Sequence, residues 1–538
     1  MIFIHLRNFS YILLLASVFI LTSCGDFLEE YSQDHDYVRT WNDLNELLIG
    51  DCYMPVNASG EFNSYSNAGM FLHLFSDEID ENVQYPAASS SYKGFNNHSY
   101  QYGYLTWQPR VGVNENATAY YTENNAWTAF YKYINVANNV LMTVDKVPQQ
   151  TDEEKAGTNY VKGQAHFLRA FYYFWLTNTY GQPYNPSTAL TELGVPLKTS
   201  PEVEDIKFSR NTVQECYSQI VSDLENAVKE LYLSRSIKRK SIYRADSISA
   251  QLLLSRVYLF TQNWEKAAEY AKKVIKYHGE LDNLNSDKNS FASISNPETI
   301  FSMGGDDLPV WVSYEAQSLK ITNGIYDSYS DNDLRKTQWI WTSGDYHGII
   351  KQPPYNTYDG TKLKSDPAYL LYNYTNSAIR RNISSLFWLR TAEAYLNYAE
   401  AEAYLGHEDE ARDAINMIRK NRYYSTAHDW MITSSGEQLI EDIRNERKRE
   451  LVCEGHRWFD LRRYRVCSVQ PEKISITHTF SIYENTNSPV PVETRQFVLT
   501  EDDPSWTAPI PQEVINFNTG MPNNGTTIRN FTIVETLK

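Results

Sequence analysis

Two stretches of this chain crowd indole and phenol rings among amides and carboxylates, the side-chain mixture that can hold a polyhydroxylated ring. Tyr85, Tyr92, Tyr100, Tyr102, Tyr104, Trp107, Tyr120, Tyr121 and Trp127 fall in the first, and Trp311, Tyr314, Trp339, Trp341 and Tyr346 in the second. A pyranose has one face of weakly acidic C–H groups that stacks on the electron-rich face of Trp or Tyr. Its hydroxyls need Asn, Asp, Gln or Arg partners around that platform. The candidate saccharide contacts are therefore Tyr85, Tyr92, Asn96, Asn97 and Trp107 in one stretch, and Trp311, Tyr314, Trp339, Trp341, Asp345 and Tyr346 in the other. The competing use of the same rings is to build small local cores under loops. Trp127 and Tyr131 stand at helical spacing and suit a core, and Trp107, close before Pro109, suits a structural wedge.

Other chemistries have weaker sequence support. Asp77-Glu78 and Asp80-Glu81 supply carboxylates, but glycoside hydrolysis needs two of them facing each other across a sugar at roughly 5–10 Å, which adjacency does not establish. Asp331-Asn332-Asp333 lacks the glycine and terminal glutamate of a calcium loop. Cys52, Cys216, Cys453 and Cys467 form no C-x-x-C pair and have no histidine cluster, which argues against zinc and favours free thiols. No catalytic group, metal or cofactor is expected.

The elements that must position these side chains are helical. Phe167, Ala170, Phe171 and Phe174 recur at three- and four-residue steps. Asp246–Phe260 with Trp264–Tyr277, and Phe387–Leu405 with Glu408–Arg422, read as antiparallel pairs whose small residues allow close approach, as in the tetratricopeptide unit. The turn glycine of that unit is Gly406 in one pair and is replaced by Gln262 in the other. About 110 residues rich in Asn, Asp, Ser, Gly and Pro lie between Lys276 and Leu386 and interrupt the repeat, so an irregular region is inserted into a helical frame. The expected class is mainly α. The frame is placed at 24–60, 119–280 and 385–465, loop-rich regions at 61–118 and 281–384, and a closing segment at 466–538. With 49 basic and 66 acidic residues, the net charge of −17 excludes a phosphate-tracking nucleic-acid binder.

The N-terminus reads as an export signal over residues 1–23, with an apolar run from Ile12 to Leu21 too short for a permanent span. Leu21-Thr22-Ser23-Cys24 resembles the lipobox of bacterial lipoproteins, which makes Cys24 the expected lipid anchor.

Near the C-terminus, Asn445 through Leu461 reads as a charged helix with i,i+3 pairs such as Glu446–Arg449 and Glu454–Arg457, a buried ion-pair clamp on the frame. Its R-x-E-L-x-x-E-G-x-R-x-x-D-L pattern resembles the signature of the SusD/RagB family of Bacteroidota outer-membrane lipoproteins. Gly163 through Gly181, Trp127 through Asn138, and Ala508 through Asn516 resemble other stretches of that family, although its usual ending is degraded after Phe517. The resemblance covers essentially the whole chain after residue 23. It implies one domain over 24–538, a non-catalytic surface protein that captures oligo- or polysaccharide, and a SusC-like TonB-dependent transporter as partner. The other class left open is a protein- or peptide-binding scaffold that serves a transporter as a lid, without direct sugar binding.

Overall fold

The computed structural model describes residues 38–54, 71–82, 94–118, 120, 123, 125–238, 241–286, 291–304, 312, 319–349, 351, 383–384, 386–484 and 491–536. The export signal, Cys24, Tyr85, Tyr92, Trp311 and Tyr314 lie outside them, as do the side chains of Asn96 and Asn97.

Ten helices carry the frame: α1 (Trp41–Leu47), α2 (Asn125–Thr143), α3 (Asp152–Tyr180), α4 (Val213–Leu233), α5 (Ser247–Phe260), α6 (Trp264–Tyr277), α7 (Thr391–Leu405), α8 (Glu408–Lys420), α9 (Gly436–Glu450) and α10 (Arg457–Arg465). From α2 to α8 each helix packs on the next in chain order, and α9 returns onto α7. The fold is the mainly helical, tetratricopeptide-like frame that the pairing of small residues implied. α6 and α7 pack together although the inserted region separates them, so the insertion leaves the frame and rejoins it without breaking the stack.

Local sequence starts these helices. Reciprocal capping boxes join Thr151 to Glu154, Thr212 to Glu215 and Asp246 to Ser249. Beyond its first turn, most of the 29-residue α3 is buried. The carbonyls at its C-terminal end, which no helical N–H can reach, are taken by donors from distant segments. Arg462 donates to the Asn178 and Gly181 oxygens, and Arg210 and Asn524 donate to Tyr180.

The Gln262 departure has a structural answer. Gly406 turns between α7 and α8 at φ +82°, and Gln262 adopts the same left-handed conformation at +60°. A side chain there costs backbone energy that glycine avoids. The Gln262 amide offsets it by donating to the Val466 carbonyl at 3.0 Å and accepting from the Ser468 N–H at 2.9 Å.

Three sequence expectations change. Trp388–Arg390, expected inside a helix from Phe387, is instead strand β6, paired antiparallel with β2 (Thr299–Ser302). Gly94–Leu105, expected as loop, is a 12-residue helix. Its Tyr102 packs against Phe480 and Phe497, with ring centroids 4.9 and 6.0 Å away, so tertiary packing overrides a weak local pattern. The signature is not one helix: it breaks at Leu451–Gly455, with Cys453 at φ +57°, and resumes at α10. The Glu446–Arg449 pair forms at 2.8 Å, but Glu454 and Arg457 part company, Glu454 going to Arg390 and Lys351 and Arg457 to Asp77.

The remaining described strands are short. β1 (Ile79–Glu81) pairs with β3 (Leu319–Ile321), β4 (Ile340–Ser343) with β5 (Tyr346–Ile349), and β7 (Ile476–Ile482), β8 (Glu493–Leu499) and β9 (Thr532–Thr536) form an antiparallel sheet in that order. Cys52, Cys216, Cys453 and Cys467 are buried free thiols.

Candidate functional site

The two loop-rich regions, 61–118 and 281–384, are joined at one seam. β1 and β3 pair in the register Ile79↔Ile321, Asp80↔Lys320 and Glu81↔Leu319. Thr322 extends the join: its hydroxyl donates to the Asp77 carbonyl at 2.8 Å and its N–H to the Glu78 carbonyl at 3.0 Å. β5 packs on β3, which brings the β4–β5 hairpin to this seam.

The hairpin turns in two residues, Gly344-Asp345, with Gly344 at φ +56°, as such tight turns require. Strand alternation then sorts its side chains. Trp341, Ser343, Tyr346 and Gly348 share one face, and Ile340, Thr342, His347 and Ile349 share the other. On the first face the half-buried Trp341 lies opposite Gly348, with its ring 5.8 Å from that of buried Tyr346. On the second face His347 stacks on Tyr326 at 3.8 Å and 11°. Burial, with Lys320 close by, holds the His347 imidazole below its ordinary pKa, while Asp327 and Asp345 oppose that shift. Thr342, Ser343, Asp345, Asn323 and Asp327 are exposed around these rings and can hydrogen-bond hydroxyls.

The predicted residues therefore divide. Trp341 is half-open, Asp345 is exposed, and Tyr346 lies buried behind Trp341. Trp107 is 1% exposed, donates its indole N–H to the Phe75 carbonyl at 3.1 Å and stacks on His478 at 4.6 Å. Trp339 is fully buried against Phe291, with the Lys351 ammonium 4.7 Å above its ring. Both of those rings are committed to the interior and offer no open face as they stand. Tyr326 and His347 were not singled out. Tyr326 was one of many tyrosines, and His347 gains meaning only from the ring that crosses it.

What fixes the hairpin to the frame is an ion network. Glu450, at the end of α9, meets Arg335, Arg390 and Arg422, each at 2.7 Å. Glu298 meets Arg390 at 3.0 Å and Arg422 at 2.6 Å, Glu454 meets Arg390 and Lys351, and Glu446 meets Arg335, Arg419 and Arg449. Asp333 clamps Arg335 at 2.7 Å. Glu298, Asp333, Arg335 and Lys351 come from the insertion, and the others from the frame. Burial alone would raise the Glu450 carboxyl, but Arg422, Arg390 and Arg335 hold it well below its usual range. The bulk of the signature's charge thus goes into a buried clamp.

The carboxylates considered for hydrolysis have structural tasks. Asp77 is held by Arg457 at 2.7 and 2.8 Å, and Glu78 accepts the Cys453 N–H at 2.8 Å. Asp80 accepts the Thr479 N–H, and Glu81 accepts the Ser481 N–H at 2.7 Å. Asp331 pairs with Lys336 at 2.7 Å in the stretch considered for calcium. Among the described residues, His73, Glu78 and Cys453 bring potential metal-ligand atoms within 4.8 Å of one another. All three are buried, and the Glu78 carboxylate is already spent on the Cys453 N–H and, at 3.3 Å, on His73.

Comparison with known proteins agrees with this architecture. The model of the SusD family matches residues 257–526, and one described as starch-binding associating with outer membrane matches 72–259. A SusD-like protein of Bacteroides ovatus is 26% identical over 376 residues, spanning 63% of this chain and 65% of the relative's own length. A SusD-like protein of Formosa agariphila is 22% identical over 511 residues, 84% of this chain and 89% of that one. A solved structure from Bacteroides vulgatus, described as a putative sugar binding protein, superposes with TM-score 0.63 at 22% identity, covering 90% of this chain and 98% of its own. A SusD superfamily protein from Bacteroides thetaiotaomicron gives 0.62 at 22% identity, with 90% and 100% covered.

Proposed function

The chain belongs to the SusD family, and from that premise we propose that it is a non-catalytic, glycan-binding lipoprotein of the outer membrane. It is tethered through Cys24, faces the exterior, and passes captured oligo- or polysaccharide to a SusC-like TonB-dependent transporter. The observation that supports the reading is the seam: pairing of β1 with β3 joins the loop-rich regions 61–118 and 281–384, and Trp341 is half-open at the adjoining hairpin. Tyr85, Tyr92, Asn96, Trp311 and Tyr314 belong to the same two stretches and complete the proposed binding set with Trp341, Asp345, Tyr326 and His347. Trp107, Trp339 and Tyr346 support those stretches from beneath. Binding without hydrolysis is supported by the internal hydrogen bonds and ion pairs that occupy Asp77, Glu78, Asp80 and Glu81. No described helix is long and apolar enough to cross a membrane, and a lipid on Cys24 would supply the attachment.

Isothermal calorimetry against a panel of plant, microbial and host glycans tests this. One class should bind, and Trp341→Ala should weaken it about tenfold, the worth of roughly 1.4 kcal/mol of lost stacking. Silence from every polymer, or unchanged affinity in Trp341→Ala, would sink the assignment.

A further inference from the structure

The side chains of His73, Glu78 and Cys453 are left over once the saccharide set and the ion network are accounted for. His73 sits on the short helix Phe71–Phe75, Glu78 just ahead of β1, and Cys453 in the left-handed break between α9 and α10. The fold thus brings together donors as much as 375 residues apart and more, so no local spacing announces the trio. One ligand atom from each lies within 4.8 Å of the others, and all three residues are buried. They supply nitrogen, oxygen and sulfur, the donors that zinc accepts, whereas calcium and magnesium ask for oxygen alone.

The contacts within the trio orient these donors without exhausting them. Glu78 Oε1 accepts the Cys453 N–H at 2.8 Å, and Oε2 faces His73 Nδ1 at 3.3 Å. Each carboxylate oxygen keeps a second lone pair. The Oε2–Nδ1 contact is longer than the roughly 2.7–2.9 Å of a charge-assisted hydrogen bond. It matches the edge of a tetrahedral zinc site, about 3.3 Å between donors on bonds of about 2.0–2.1 Å. Among the described residues, His73 Nε2 is buried with no hydrogen-bond partner, so nothing on that side of the ring fixes where the proton sits. A thiolate on the same metal would stand about 3.6 Å from the other two donors, so capture asks for closure of roughly 1 Å.

Charge points the same way. Among the described residues, the ion-pair contact of Glu78 is with His73, while Arg457 goes to Asp77. A buried carboxylate beside a neutral imidazole lacks compensation, which is costly. A divalent cation held by that carboxylate and a thiolate carries no net charge. We propose that His73, Glu78 and Cys453 bind one zinc ion, leaving a fourth tetrahedral position for water. The thiol proton leaves to solvent as the zinc–sulfur bond forms. The ion ties the segment ahead of β1 to the break in the signature.

The test uses the full chain in mild detergent, stripped with a chelator, dialysed and loaded with zinc sulfate. After desalting, elemental analysis should find about one zinc per chain. Cobalt(II) loaded in its place should show thiolate-to-cobalt charge-transfer absorption in the near ultraviolet. His73→Gln and Cys453→Gly should each weaken zinc affinity about 100-fold or more in competition with a chromogenic chelator. Cys453→Gly suits the backbone φ of +57°, so it removes the thiol while favouring the fold, and circular dichroism checks both variants. An unmodified chain that emerges without zinc overturns the site. Full zinc retention by both variants, or cobalt bound without the thiolate band, also overturns it, because the ion then sits elsewhere. The glycan reading is untouched by any of these results, since calorimetry on the Trp341 hairpin tests it separately.

Discussion

Removing the Glu450 carboxylate should destabilise the protein far more than any surface ion pair does. The group is fully buried and touches three guanidiniums at 2.7 Å. Around it, Arg335, Arg390, Arg422, Arg419, Arg449 and Lys351 face Glu298, Glu446, Glu450, Glu454 and Asp333, six cations against five anions. Glu450→Ala leaves six against four, with three arginines that have lost a shared partner and cannot reach water. Breaking a buried pair from one side costs about 3–5 kcal/mol, because the surviving charge is left uncompensated. Against a total stability of roughly 5–15 kcal/mol, that is a large fraction. Glu450→Gln keeps the shape and one acceptor and should cost less, with the same sign. Urea unfolding followed by tryptophan fluorescence reads this directly, since Trp339 and Trp388 lie beside the network, with Arg335 5.9 Å from one ring and Arg390 5.2 Å from the other. Glu269→Ala, which removes an exposed i,i+4 partner of Lys273, is the reference and should cost no more than a few tenths of a kcal/mol. If Glu450→Ala costs under about 1 kcal/mol, close to the reference, the clamp is not what joins the insertion to the frame.

Other consequences are open to the same kind of measurement. Trp339→Ala should lower stability by about 3–5 kcal/mol through a buried cavity, whereas Trp341→Ala should leave the unfolding midpoint nearly unchanged and act on ligand affinity; equal stability losses would contradict their assigned places. Gln262→Gly removes a left-handed side chain along with its two hydrogen bonds and should be close to neutral, but Gln262→Ala keeps the strain without the bonds and should cost about 1–2 kcal/mol in thermal denaturation. Glu446 and Glu450 are held below the ordinary carboxylate value of 4.5, so their stabilisation is complete above that pH and is lost as pH falls toward their folded values. Acid titration of the unfolding free energy should therefore steepen below pH 4.5, and Glu450→Gln should flatten that slope.

The sequence determined the frame because helix formation is written locally. Asp246 caps α5 through Ser249, and α6 spans the Trp264–Tyr277 limits read from periodicity and the intervening turn. Gly406 breaks between α7 and α8 because a left-handed turn favours glycine. The signature's alternating charges announced a buried clamp, and its resemblance named the family. What the one-dimensional string did not carry was partner choice. Glu454 could pair with Arg457 three residues on; instead the left-handed Cys453 breaks the helix, sending one side chain to Arg390 and the other to Asp77. Trp339 and Trp341 stand two residues apart in one ring-rich stretch. Only the packing of Phe291 and Lys351 against one, and the open edge of a hairpin at the other, decides which is core and which can meet a ligand. The seam itself depends on Ile79 pairing with Ile321, a contact between residues 242 apart that no local pattern encodes. Burial and long-range pairing are properties of the folded whole, which no local pattern of residue types carries.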